Sequence, residues 1–217
     1  MLSIFFLIIL FITSDYIMEQ LNIKGSYYIN HFICNMMIVY NTYECMLYSY
    51  SDMNICDFNN ILLSQNSIYA LHLYHMIWYF DKLRFDDWIH HLIMVGISLP
   101  LTSLVDKYNL IGHGMFFING LPGGIDYILL ALVRNNMVDK EIEKRINKYI
   151  NLWIRCPGCI SNVTLSFKVF IDMYNTSTFL SNISSIIIML SIYWNGIYFM
   201  EQVVSDHRMY TLQYKKK

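Results

Sequence analysis

The chain has 217 residues, of which 56% are hydrophobic and 14% are charged. Soluble domains carry about 25% charged residues, so this composition argues against a soluble globule and favours a polytopic membrane protein. The formal net charge of −1 excludes the strongly basic balance typical of nucleic-acid-binding domains, and the length fits a single helical bundle.

Seven apolar segments are long enough to form transmembrane helices, because a hydrocarbon core about 30 Å thick needs roughly 17–25 helical residues. We therefore predict an all-α transmembrane bundle. The predicted spans are residues 2–17, 27–43, 61–80, 88–105, 110–133, 152–174 and 179–204. The predicted domains are a first transmembrane helix in residues 1–24, the bundle in residues 25–205 and a basic cytosolic tail in residues 206–217. No basic residue precedes the first apolar stretch and no small-residue cleavage site follows it, which favours a retained helix over a cleaved signal peptide.

The basic residues favour one orientation of this bundle. With the amino terminus outside, all but two of the 15 lysines and arginines lie in cytosolic segments, and only Lys107 and Lys168 lie outside. The positive-inside rule prefers this arrangement, which places the carboxyl terminus in the cytosol. Cys45 and Cys56 then flank an outer loop, where they could pair as a disulfide if the compartment is oxidising.

Two segments depart from simple spans. Apolar residues recur at helical spacing between lysines and glutamates near residues 137–150, which predicts an amphipathic helix in the cytosolic interface. Its basic face could contact anionic lipid head groups, or it could be a charged connector only. In the fifth span, Pro122 lies among glycines and removes a backbone donor. This predicts either a broken helix with Asp126 facing a cavity, or a packing kink with a partly hydrated aspartate.

Histidines are the strongest candidates for chemistry. His72 and His75 share a face of the third span, and the tandem pair His90-His91 opens the fourth. The two spans are antiparallel and joined by a short connector, so we expect His75 and His90 to meet near the cytosolic leaflet. Ionisable groups within a membrane are costly and mark functional sites, and histidine is the usual general base and can act as a nucleophile. The alternative is an inert pair packed between helices.

Other kinds of site have weaker signals. Membrane di-iron enzymes need more clustered histidines than this chain has, and we assign no metal, although one zinc site from His72, His75 and His90 is geometrically possible. The segment from Cys156 to Cys159 has redox-motif spacing, but a packing element at the start of a helix explains it better. The sequence has no Walker loop, GxSxG motif or dinucleotide fingerprint.

Residues 74–94 read YHMIWYFDKLRFDDWIHHLIM. This stretch resembles the core of the TLC domain, the family of polytopic membrane proteins that includes ceramide synthases. The family places an aromatic helix that ends in an aspartate before a helix that opens with paired histidines. The corresponding residues here are Tyr79, Phe80, Asp81, His90 and His91. The resemblance implies a TLC-like helical bundle in the endoplasmic reticulum or a related endomembrane.

The resemblance also implies a role in lipid metabolism or membrane lipid homeostasis. Ceramide synthases transfer an acyl group from acyl-CoA to a sphingoid amine at the histidine region. By this resemblance His90 and His91 are the catalytic residues, and His75, His113 and Asp126 bind substrate. The expected partners are membrane lipids and not nucleic acid, and the protein could form a homo-oligomer. No cofactor is expected besides acyl-CoA as a co-substrate. The alternatives are a non-catalytic lipid-handling or trafficking factor and a small-molecule transporter, which the interrupted fifth span would suit.

Overall fold

The computed structural model describes residues 2–51, 56–105 and 108–214, and within these residues the chain is helical and has no β-strand. Seven long helices are found in the described residues: α1 (Leu2–Gln20), α2 (Ser26–Tyr48), α3 (Phe58–Trp78), α4 (residues 85–104), α5 (residues 108–134), α6 (residues 140–173) and α7 (Phe179–Tyr214). A short 3₁₀ turn, Phe80–Lys82, connects α3 to α4. The predicted all-α fold class is confirmed.

Three of these helices are long and apolar enough to cross a membrane, by length and composition. Their apolar stretches are Ser3–Gln20, Leu110–Arg134 and Phe179–Gln213, which match the first, fifth and seventh predicted spans. On α1, Phe5 and Phe6 are 66% and 62% exposed, and an exposed apolar face of this kind suits contact with lipid. The other four predicted spans coincide with α2, α3, α4 and α6, which carry more polar residues.

Three helices in the described part of the chain contain a π-helical segment. These segments are His91–Ser98 in α4, Phe116–Gly120 in α5 and Asn151–Arg155 in α6. A π segment shifts the register of the side chains that follow it, and such segments are frequent at functional sites. Each of the three contributes lining residues to the larger cavity described below.

Pro122 does not unwind α5. The α-helical part Leu121–Arg134 has this proline in its first turn, where a missing N–H is tolerated. The π segment directly precedes it, and the helix continues without a gap. A Cβ atom at Gly123 would lie 2.7 Å from Nδ2 of Asn35, so the glycine permits close contact between α5 and α2. The segment is therefore a packing site with a shift in helix register.

The predicted amphipathic helix is the first part of α6. It spans Lys140–Ile150 and continues through the π segment into Cys156–Met173. Lys144 forms an ion pair with Asp206 on α7, which attaches the amphipathic part to the end of the last helix. The predicted tail is helical as far as Tyr214. The basic residues Lys107 and 215–217 lie outside the described residues.

Cys45 and Cys56 form a disulfide bond, with their Cα atoms 5.0 Å apart. This bond joins the end of α2 to the start of α3. Disulfides persist in oxidising compartments, which agrees with the outer position expected for this loop. Cys34, Cys156 and Cys159 carry free thiols and are buried.

Gly158 is a packing position, because a Cβ atom there would lie 2.2 Å from Cγ of the Phe117 ring. We expect Gly158→Ala to lower the free energy of unfolding by about 1–3 kcal/mol, the usual cost of overpacking. Gly96→Ala is the matched control, since its nearest contact would be Leu92 Cδ1 at 3.6 Å. Thermal unfolding in detergent measures both variants. Equal melting temperatures would show that the Phe117 contact does not restrict this position.

Candidate functional site

Five histidines meet where α2, α3 and α4 pack together. The ring centroids of His72 and His91 are 5.1 Å apart, and those of His75 and His91 are 5.2 Å apart. His90 lies 6.2 Å from His72, and His31 of α2 lies 5.6 Å from His75. We call these five residues the histidine cluster.

The structure brings the two predicted histidine pairs together but matches them differently. His75 was expected opposite His90, whereas its ring lies against His91. His90 lies against His72 and against the ring of Phe199, 5.2 Å away. His90 and His91 both have α-helical backbone angles, so their side chains point about 100° apart and their rings contact different partners.

Several nitrogens of the cluster have no protein partner. Nδ1 of His72 lies 2.7 Å from the carbonyl oxygen of Ile68, so Nδ1 donates its proton there and Nε2 presents a lone pair. Both ring nitrogens of His91 and Nδ1 of His90 are buried without a hydrogen-bond partner among the described residues. An unsatisfied buried polar atom costs about 1–3 kcal/mol. The cluster therefore presents positions where a ligand would supply the missing partners.

Two tyrosines form a wall of the site that sequence reasoning missed. The ring of Tyr27 lies 4.1 Å from His31 and 4.5 Å from His75, and its hydroxyl is 3.4 Å from Nδ1 of His75. Nδ1 of His31 donates a hydrogen bond to the carbonyl oxygen of Tyr27 at 2.9 Å. The ring of Tyr127 on α5 also contacts His31, at 4.3 Å. The i, i+4 spacing of Tyr27 and His31, which puts both on one face of α2, was the feature of the sequence that could have indicated this contact.

A cavity of about 560 Å³ opens beside the cluster, and we call it the polar chamber. All five cluster histidines line it, together with charged side chains of α4 to α7 and of the residue before α4: Arg84, Asp86, Asp87, Asp126, Arg155 and Asp206. The side chains of Arg84 and Asp206 are 79% and 57% exposed. These exposed residues mark the mouth of the chamber, at the ends of the helices assigned to the cytosolic side.

An ion pair fixes the charge at this mouth. Nε of Arg84 lies 3.3 Å from Oδ2 of Asp87, and the Arg84 backbone N–H donates to the same oxygen at 2.9 Å. Burial by itself would raise the pKa of Asp87, but the hydrogen bonds and charge of Arg84 outweigh burial and hold this pKa below its ordinary value. The same contact raises the pKa of Arg84. Both groups are therefore charged at neutral pH.

Deeper in the chamber, Arg155 and Asp126 place opposite charges on its wall. Arg155 donates from Nη1 to Oδ1 of Asn151 at 3.1 Å and from Nη2 to the carbonyl oxygen of Ile118 at 3.0 Å. Nε of Arg155 and Oδ1 of Asp126 are buried and have no hydrogen-bond partner in the described part of the chain. Each of these two atoms can therefore form a hydrogen bond with a polar ligand.

A smaller cavity of about 130 Å³ adjoins the cluster, and we call it the apolar channel. Its walls come from α3 to α7 and are mainly apolar, with Met94, Leu110, Ile188 and Ile192 among them. His72 and His90 line both the apolar channel and the polar chamber. The histidine cluster therefore lies between the chamber, which several charged side chains line, and a mainly apolar cavity.

His113 lies apart from the histidine cluster. It is fully buried and lines neither the chamber nor the channel. Its Nε2 is 3.0 Å from the hydroxyl of Tyr50, and its Nδ1 is 3.2 Å from Nδ2 of Asn162. The predicted site residues thus divide in two groups: His75, His90, His91 and Asp126 share the chamber, whereas His113 links α5 to α6.

Comparison with protein-family models, with curated proteins and with solved structures found no match. The resemblance of residues 74–94 to the TLC domain therefore stays a prediction. In its described residues, the molecule is an all-α protein with three helices suited to a membrane and a histidine cluster between the chamber and the apolar channel.

Proposed function

We propose that this protein is an integral membrane enzyme of lipid metabolism that transfers an acyl group at the histidine cluster. The supporting observation is that His72 and His90 line both cavities. An acyl thioester bound across this junction would have its chain in the apolar channel and its polar remainder in the polar chamber. The reacting carbonyl group would then lie beside the imidazoles.

The residues in the chamber suit acyl transfer from acyl-CoA to a long-chain amine. The amine nitrogen attacks the thioester carbonyl carbon and gives a proton to an imidazole of the cluster, an amide bond forms, and the sulfur leaves as a thiol with that proton. His90 and His91 are the proposed catalytic residues because their buried nitrogens lack partners. His75 and Asp126 would contact substrate, and Arg155 would meet the anionic groups of acyl-CoA.

The proposed setting is a TLC-like bundle of seven spans in the endoplasmic reticulum or a related endomembrane, with the carboxyl terminus in the cytosol. The excess of basic residues in the proposed cytosolic segments supports this orientation. The disulfide between Cys45 and Cys56 supports an outer, oxidising location for the opposite end. The chamber mouth then opens toward the cytosol.

A second candidate is a lipid-handling factor with the same fold and no catalysis. The apolar channel favours it, because a cavity of this kind binds a chain whether or not chemistry follows. Transport has less support. A broken fifth helix would have favoured it, but α5 continues through Pro122 without a break.

Purified full-length protein supplied with labelled acyl-CoA and a long-chain base tests the proposal. We expect an amide product that requires both substrates and is absent when the protein is heat-denatured. Mass spectrometry of the lipids retained by the same preparation identifies the class of chain that it binds. A preparation that retains lipid and makes no amide would contradict the enzyme and favour the lipid-handling factor.

A further inference from the structure

We propose that His72, His90 and His91 together bind a divalent transition-metal ion, with zinc as the best match. One ring nitrogen from each residue lies within 4.8 Å of the other two. In a tetrahedral zinc site the metal–nitrogen bonds are about 2.0–2.1 Å, which places ligand nitrogens about 3.4 Å apart. Rotations of the side chains that bring these nitrogens closer by up to about 1.4 Å would complete three ligands of such a site.

The hydrogen bond of His72 is the kind that metal-ligating histidines make. A ligating histidine usually donates its other ring N–H to a carbonyl or carboxylate oxygen, which fixes the tautomer and the ring orientation. His72 donates from Nδ1 to the carbonyl oxygen of Ile68 at 2.7 Å. This bond leaves the lone pair of Nε2 available for a metal.

The unpartnered nitrogens of His90 and His91 are the second, independent observation. His91 is 6% exposed, and neither of its ring nitrogens has a partner among the described residues. Nδ1 of His90 is also buried and also has no hydrogen-bond partner among these residues. Buried nitrogens without partners are costly, and a metal ion shared with Nε2 of His72 would satisfy one nitrogen of His90 and one of His91.

The type and number of ligands select the metal. Imidazole suits zinc, copper, nickel and iron, whereas magnesium and calcium prefer oxygen. Three protein ligands are typical of a catalytic zinc site, in which the fourth position stays open for water or substrate. Here that position would adjoin both cavities, since His72 and His90 line each of them.

The sequence led us to assign no metal, although a zinc site from His72, His75 and His90 was geometrically possible. In the structure Nδ1 of His75 lies 3.4 Å from the hydroxyl of Tyr27, and His91 groups with His72 and His90 instead. The role of the metal rests on the proposed function: a bound ion would polarise the acyl carbonyl group, and His75 would remain to accept the proton. Metal binding itself rests only on the ligand geometry.

The metal content of the purified full-length protein tests this inference. We expect inductively coupled plasma mass spectrometry to find about one zinc ion per chain in the wild type, and less than about one-tenth of that in His72→Ala and in His91→Ala. His207→Ala, at a residue near the end of α7 that lines neither cavity, is the matched control and should retain the metal. His75→Ala should also retain it. Cobalt(II) loaded into chelator-treated wild-type protein should give the visible absorption of a tetrahedral site.

The outcomes separate this inference from the proposed function. A protein that forms amide without bound metal, and that a chelator does not inhibit, would overturn the metal site and leave the acyl-transfer proposal standing. A protein that binds zinc through these histidines and forms no amide would overturn the acyl-transfer proposal and leave the metal site standing. Equal zinc content in the wild type and in His91→Ala would also overturn the metal site.

Discussion

Replacing His91 with alanine should reduce the rate of amide formation by about 10²–10⁴-fold, the contribution of a positioned proton-transfer group. His91 is buried, and its ring faces both His72 and His75. Its two nitrogens have no partner among the described residues, so they are available either to accept a proton or to bind a metal. Both roles predict the loss, which steady-state rates with labelled acyl-CoA would measure.

The control for this experiment is His207→Ala. His207 lies outside the chamber and the channel, and its variant should keep the wild-type rate. Melting temperatures of both variants show whether each protein is folded. A folded His91→Ala protein that keeps more than half of the wild-type rate would contradict the proposed catalytic role.

Replacing Ser185 with phenylalanine should shorten the acyl chain that the protein accepts. Ser185 lies on α7 and lines the apolar channel, whose volume is about 130 Å³. A phenyl ring there would displace three or four methylene groups, at a cost of about 0.8 kcal/mol each. The rate with long-chain acyl-CoA should therefore fall by about 100-fold, while short chains that end before the ring keep their rate.

Leu190→Phe is the matched variant, because it adds the same ring to the same helix. Leu190 is 63% exposed and does not line the channel, so its replacement should leave the chain preference unchanged. Competition between acyl-CoA species of several lengths, read by mass spectrometry of the products, measures both proteins. Identical product profiles for Ser185→Phe and the wild type would show that the acyl chain does not bind in the apolar channel.

The helices were predictable because long apolar runs can satisfy their backbone only as helices in a membrane. The first predicted span, residues 2–17, ends three residues before α1 does. The close approach of the α3 and α4 histidines was also predictable, since a short connector forces the two helices to pack side by side. Such inferences need only local sequence and chain continuity.

The remaining features of the site depend on long-range packing. The π segment that begins at His91 shifts the register of the side chains that follow it, and a 3.6-residue pattern does not reveal it. His31 enters the cluster from α2, and its contacts with His75 and Tyr127 join residues far apart in sequence. His113 resembled a site residue because of its type, but Tyr50 and Asn162 hold it elsewhere.

The covalent link between α2 and α3 limits how these two helices can separate. Cys45 and Cys56 tie these two helices together at one end, whereas the chamber lies toward their opposite ends, where His31 and His75 line it. Any splaying of α2 from α3 must therefore pivot at the tethered end and be widest at the untethered one. A bulky ligand would then be admitted by a hinge motion of the two helices about the disulfide-bonded end.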